Sequence, residues 1–177
     1  MSASFRDVST LGGRDLADLI DLNNDHAVEL SLVTPKAFRA LLAEAWLALA
    51  PPDNGALLLV FDQDAAIEGP NFAWYKARHA RFLYIDRVVV APAGRGRGIA
   101  RRLYETAFAA GAAAGFDFIG CEVNLEPPNP ASDAFHARLG FGEVGRARLP
   151  SGKLVHYLTR RLGPSPGSQS PPVSSSA

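Results

Sequence analysis

Residues Phe82 to Val90 (FLYIDRVVV) run directly into a turn rich in glycine and arginine and then into an apolar helical repeat, and this junction leaves the chain few folds to choose from. The nine residues are β-branched, aromatic and apolar on both alternating faces, which is the pattern of a central strand covered on both sides. From Ile99 the spacing becomes helical. Leu103, Ala107 and Gly111 recur on one face with Tyr104 and Phe108 beside them, until Gly115 stops the helix. A second strand is predicted from Phe116 to Asn124. Strand, helix and strand of these lengths form a βαβ unit, whose crossover is right-handed and whose strands are parallel.

The flanks read differently. Asp15 to Leu22 and Pro35 to Ala45 place apolar residues at helical spacing, the second with Thr34 as N-cap and Pro35 at the first helical position. AWLALA, PPDNG and ALLLVFD read as two strands joined by a turn, an antiparallel hairpin. The segment holding Phe72, Trp74, Tyr75, Lys76, Arg78 and Arg81 is predicted to be extended, and its residues suit either an acceptor pocket or a solvated face beside core aromatics. Asn129-Pro130 caps a short helix to Leu139, Gly140 ends it, and KLVHYLTRRL closes as a strand. The fold class is α/β: a mixed central sheet with antiparallel N-terminal strands and a parallel βαβ core.

With 177 residues, 47% of them hydrophobic, one domain over residues 1–162 is expected. The remainder, GPSPGSQSPPVSSSA from Gly163, has no large hydrophobe except Val173 and reads as a disordered tail. Eighteen basic residues balance eighteen acidic ones, so overall charge gives no reason to expect nucleic acid or a membrane surface as partner. Cys121 is the only cysteine, which excludes an internal disulfide framework or cysteine-rich zinc site and suits a reducing cytosol; no metal is expected. The N-terminus lacks a basic region followed by an apolar core, and no apolar run reaches the roughly 18 residues of a membrane span. The expectation is a soluble cytoplasmic protein.

The chemistry is concentrated at Arg95-Gly96-Arg97-Gly98-Ile99-Ala100, followed by Arg101 and Arg102. Unpaired N–H groups at a helix start, the positive end of its dipole, and glycines that admit a ligand to the backbone together make a phosphate cradle. A flexible, solvated connector is the plain alternative, but the position between a buried strand and an apolar helix favours the cradle. There is no G-x-x-x-x-G-K-[ST] and no G-x-G-x-x-G, which argues against a P-loop NTPase and a Rossmann domain.

The order of strand, R-x-x-G-x-A turn and helix resembles the acyl-CoA-binding signature of the GNAT superfamily, Q/R-x-x-G-x-G/A, with Arg95, Gly98 and Ala100 at its defining positions. The resemblance continues through Val90-Ala91-Pro92 before the turn, Cys121-Glu122-Val123-Asn124 after the helix, and Asn129 with Phe135-His136-Ala137-Arg138-Leu139-Gly140-Phe141, while Pro127-Pro128 lengthens one loop. Asn23 to Ser31 and Asn71 to Tyr75 are similar to a bacterial subgroup of acetyltransferases with no assigned substrate. The resemblance implies an acetyl-CoA-dependent N-acetyltransferase in which an amine of a small molecule or peptide attacks the thioester directly. It also implies that the backbone of Val88, Val89 and Val90 binds pantetheine and polarises the thioester carbonyl. The turn, including Gly96, Arg97, Ile99 and Arg101, would take the pyrophosphate, and Asn124 or Asn129 would hold the pantetheine arm. A homodimer is left open. The competing class is a non-catalytic acyl-CoA-binding or sensing module.

Three side chains are candidates for proton transfer. Asp86 interrupts an apolar strand, where an unpartnered carboxylate is costly, and serves either as base or in an ion pair with Arg78 or Arg81. Glu122, on the neighbouring strand, is the rival base. His136 stands where most of the family carries a tyrosine that protonates the leaving thiolate; imidazole can donate near neutral pH, or the ring can be a structural one bonded to Ser132 a turn earlier. His26 reads as a surface histidine and Cys121 as a small buried hydrophobe.

Overall fold

The computed structural model describes residues 4–26 and 30–163, so the expected tail lies, apart from Gly163, outside the described residues. Its elements are β1 (Arg6–Asp7), α1 (Gly13–Asn24), α2 (Pro35–Glu44), β2 (Leu47–Ala50), β3 (Ala56–Asp62), α3 (Pro70–Lys76), β4 (Leu83–Val90), α4 (Ile99–Ala113), β5 (Phe118–Glu126), α5 (Pro130–Arg138), β6 (Gly142–Arg148) and β7 (Leu154–Arg161). The strands form a seven-stranded sheet in the order β1-β2-β3-β4-β5-β7-β6. Among the described residues only β4 and β5 run parallel; every other neighbouring pair is antiparallel.

The capping residues act as their chemistry dictates. The Thr34 hydroxyl accepts from the Ala37 N–H at 3.1 Å, and Asn129 Oδ1 accepts from the Ser132 N–H at 3.2 Å. Each thus satisfies a donor that the first helical turn leaves orphaned. On one face of the sheet, Leu103, Tyr104, Ala107 and Phe108 of α4 pack on Leu58, Val60, Leu83, Ile85, Cys121 and Val123. On the other, α1 and α2 cover Leu57, Leu59 and Val89, and α3 covers Phe61, Phe82, Tyr84 and Tyr157. Leu57, Leu58 and Leu59 are fully enclosed, each contributing about 1.5–3 kcal/mol through burial. Consecutive leucines are required because β3 is covered on both faces.

Two regions depart from the sequence-based expectation. The segment after Gly69 is helical, not extended. Pro70 opens α3, and Phe72 and Tyr75, one turn apart, bury against the sheet while Ala73 and Lys76 face out. Seven residues hold too little periodicity to separate this from a strand. The edge strand β6 is the second: GEVGRAR is mostly exposed and carries no apolar alternation, so its pairing with β7 defines it.

The β4–β5 pair positions the site. Its register holds only at Leu83↔Ile119 and Tyr84↔Gly120, after which the strands diverge. At the same level β4 is bulged: Ile85 faces Val60 and Arg87 faces Leu59, leaving Asp86 as the extra residue. Gly120 makes the close packing here possible, because a Cβ would overlap the Tyr75 ring.

Candidate active site

Beyond Tyr84 and Gly120, the edge of β4 that faces β5 has no ladder partner among the described residues, which leaves the backbone at Val88 open on that side, while the Val90 carbonyl accepts from Arg95 Nε at 3.4 Å. The opening leads into two adjoining clefts. One of about 410 Å³ lies over the turn and is lined by Gly94, Gly96, Gly98, Ile99, Arg101 and Arg138 among others. The second, about 270 Å³, is lined by His26, Leu30, Val88, Val89, Ser132 and His136. Both share Val90, Arg95, Ala100 and Phe135.

The start of α4 differs from those of α2 and α5. Its N-cap is Gly98 at φ 71°, no side chain caps it, and no acidic residue lies in the first turn. A Cβ on Gly96 or Gly98 would meet nothing within 4 Å, so the space above the N–H groups is open. Free N–H donors, the positive helix end, Arg95 and Arg101 face the cleft over the turn, an arrangement that can receive an anion, whereas Arg97, expected there from the sequence, lines a separate pocket with Pro51, Asp53 and Arg102. Arg101 is drawn to Glu105 at 2.7 Å in an exposed pair.

On the opposite side of the divergence stands Glu122. Asn71 Nδ2 donates to its Oε1 at 2.8 Å, and the Tyr84 hydroxyl donates to its Oε2 at 2.8 Å. Asn71 is itself fixed, because the Tyr157 hydroxyl donates to its Oδ1 at 3.1 Å. Burial raises the Glu122 carboxyl from the ordinary 4.5 to about 7; nearby Asp86 adds to this, while the bonds from Tyr84 and Asn71 oppose it. A carboxyl with that value can exchange a proton near neutral pH. Trp74 walls the neighbourhood, stacked on Tyr157 at 4.0 Å, with the Arg78 guanidinium 4.2 Å from its ring centre.

Asp86 is engaged differently from its expected pairing. Its Oδ2 accepts from Arg87 Nε at 2.7 Å, and Arg87 Nη1 donates to the buried Asn23 Oδ1 at 2.8 Å. Arg78 and Arg81 lie elsewhere: Arg78 donates to the Trp74 carbonyl and Arg81 to the Gly115 and Ala114 carbonyls. The bulge explains the exchange, since it breaks the strict alternation of β4 and makes sequence neighbours into partners.

The model of the family described as the acetyltransferase (GNAT) family matches residues 36–141. The chain belongs to that family. It is an acetyl-CoA-dependent N-acetyltransferase, with acetyl-CoA as co-substrate, and the arginine–glycine turn lies inside the matched region. It is 32% identical over 148 residues to a phosphinothricin N-acetyltransferase of Streptomyces coelicolor, covering 81% of this chain and 85% of that one. Two solved structures share the fold. An aminoglycoside 6'-N-acetyltransferase complexed with coenzyme A has a TM-score of 0.67 at 13% identity, covering 92% of this chain and 99% of that chain. The ribosomal-protein-S18-alanine N-acetyltransferase of Escherichia coli has 0.64 at 15%, covering 94% and 98%.

Within this acetyltransferase His136 is buried, 4% exposed, and both of its ring nitrogens are engaged. Nδ1 lies 2.8 Å from the Ser132 carbonyl, which can only accept, so Nδ1 carries the proton. Nε2 is then the acceptor for the Tyr104 hydroxyl at 3.0 Å. Burial lowers its pKa below the ordinary 6.5, and the neutral ring has no spare N–H to hand to a thiolate. We expect His136→Phe to lower Tm, because it strands the buried Tyr104 hydroxyl at a cost of about 1–3 kcal/mol, and to reduce kcat less than tenfold. A hundredfold loss of kcat at unchanged Tm would give His136 the acid role.

Asn129 is occupied as the cap of α5, and its N–H donates to the Asn124 carbonyl at 3.2 Å, so the two asparagines sit together where β5 gives way to α5. Burial pushes the Cys121 thiol well above its ordinary value, and its side chain belongs to the core under α4. Sequence reasoning missed Asn71, Tyr84, Tyr157, Asn23 and Arg87. The available signal was Tyr84, two residues before Asp86 on the same predicted strand. Among the described residues no group of three or more His, Cys, Asp or Glu side chains could hold a metal, and no helix is long and apolar enough to cross a membrane.

Proposed function

We propose that this acetyltransferase passes the acetyl group directly from acetyl-CoA to an amine of a small molecule or peptide, with Glu122 as the base. The observation that carries the reading is the Glu122 carboxyl, raised to about 7 and held by Asn71 and Tyr84 where β4 and β5 diverge. The pyrophosphate lies over the start of α4, and pantetheine follows the open edge of β4 into the divergence. Glu122 takes a proton from the ammonium form of the acceptor. The freed amine attacks the thioester carbonyl carbon, the C–N bond forms, the C–S bond breaks, and the second amine proton, which the new amide sheds, passes through solvent to the CoA thiolate.

The direct test is a panel of amines with acetyl-CoA, read as free thiol released and as acetylated product by mass spectrometry. Turnover on at least one amine, with CoA and product in equal amounts, is the expected result. Tight acetyl-CoA binding without release on any amine would support the sensing module instead.

A further inference from the structure

A histidine that reads from the sequence as a plain surface residue is tied to the first arginine of the turn. His26 follows the C-terminal end of α1, and its two ring nitrogens have unequal partners. Nδ1 lies 3.0 Å from the Leu22 carbonyl, which only accepts, so Nδ1 carries the proton. Nε2 lies 3.0 Å from Arg95 Nη2, which only donates, so the lone pair of Nε2 receives it. Both geometries demand the same tautomer. Arg95 Nε also reaches back to the Val90 carbonyl at 3.4 Å, so the guanidinium is held from two sides although the side chain is exposed.

We infer that His26 is a positioning residue that aims Arg95 at the phosphates of acetyl-CoA. The inference rests on the proposed placement of the pyrophosphate over the turn. An exposed arginine samples many rotamers, and a ligand that uses it must bear the cost of fixing it. A histidine whose own ring is fixed by a helix carbonyl removes part of that cost before the ligand arrives. His26 suits the task because a neutral ring accepts from the guanidinium without cancelling its charge; a carboxylate there would neutralise Arg95 and repel the phosphates. His26 also lines the second cleft together with Val88 to Val90, so the contact lies on the wall along which pantetheine is proposed to run.

The test is calorimetry with CoA on the full chain and four variants. His26→Ala should weaken CoA binding about 3- to 10-fold. His26→Gln, whose amide oxygen can take the place of Nε2, should restore most of the loss. Arg95→Ala should weaken binding about 10-fold or more, and adding His26→Ala to it should cost nothing further, because the histidine acts through the arginine. Parental affinity in His26→Ala, failure of glutamine to rescue, or the same loss in the Arg95→Ala background would each overturn the inference. An Arg95→Ala variant that binds CoA as the parent does would instead overturn the placement of phosphate on Arg95, and this inference with it.

Discussion

Glu122→Gln is expected to lower kcat by about 10²- to 10⁴-fold while leaving acetyl-CoA affinity within about threefold, since it removes a base and keeps the shape of the side chain. The pH dependence identifies the group. Glu122 must be ionised to act, so kcat/KM of the parent should rise with pH through about 7 and then level off until the acceptor amine adds its own limb. In the variant the limb near 7 should vanish and the amine limb should remain. Stability should move the other way. The folded-state value of about 7 lies above the ordinary 4.5, so below 4.5 both states hold the proton and nothing is lost. As pH rises from 4.5 to 7, only the unfolded state ionises, and folding loses up to about 3 kcal/mol that stays lost above 7. Glu122→Gln removes that cost, so its Tm should exceed the parent's at pH 8 and match it at pH 4. A limb near 7 that survives in Glu122→Gln, or a kcat within threefold of the parent, would move the base to Asp86.

Gly98→Val should reduce CoA affinity at least a hundredfold with the fold retained. Gly98 sits at φ 71°, where a β-branched residue is strained by roughly 1–2 kcal/mol. That cost is tolerable in a domain, and a Cβ there meets no protein atom within 4 Å. The added methyl groups would enter the open space above the start of α4, which is where the phosphates are proposed to lie. Calorimetry with CoA and far-UV circular dichroism separate the outcomes. Loss of the folded spectrum would make Gly98 a residue of architecture, and near-parental affinity in a folded variant would remove the phosphates from this turn.

Periodicity made the βαβ unit, the N-terminal hairpin and the capped helices legible because each is decided locally: Thr34 and Asn129 cap the helices that begin at the very next residue, and the turn residues of PPDNG separate the two apolar runs of the hairpin. The turn was legible for the same reason, since its glycines, arginines and helix start are contiguous. The candidate base was less so. Asp86 and Glu122 looked equivalent as carboxylates in apolar strands, and the difference between them comes from neighbours distant in sequence. Asn71 and Tyr84 reach Glu122 from 51 and 38 residues away. Asp86 takes its cation from the adjacent residue, because a bulge brings Arg87 to its side.

Local signals in the sequence therefore determined the capped helices, the hairpin and the strand–turn–helix junction, each of which depends on residues close together in the chain, while α3 and β6 took their form from packing and pairing. Tertiary structure alone decided which carboxyl is raised toward neutrality, that both nitrogens of His136 are engaged, and that His26 holds Arg95 across 69 residues of chain. Burial and hydrogen-bond partnership set a side chain's protonation and direction, and both are properties of the assembled neighbourhood.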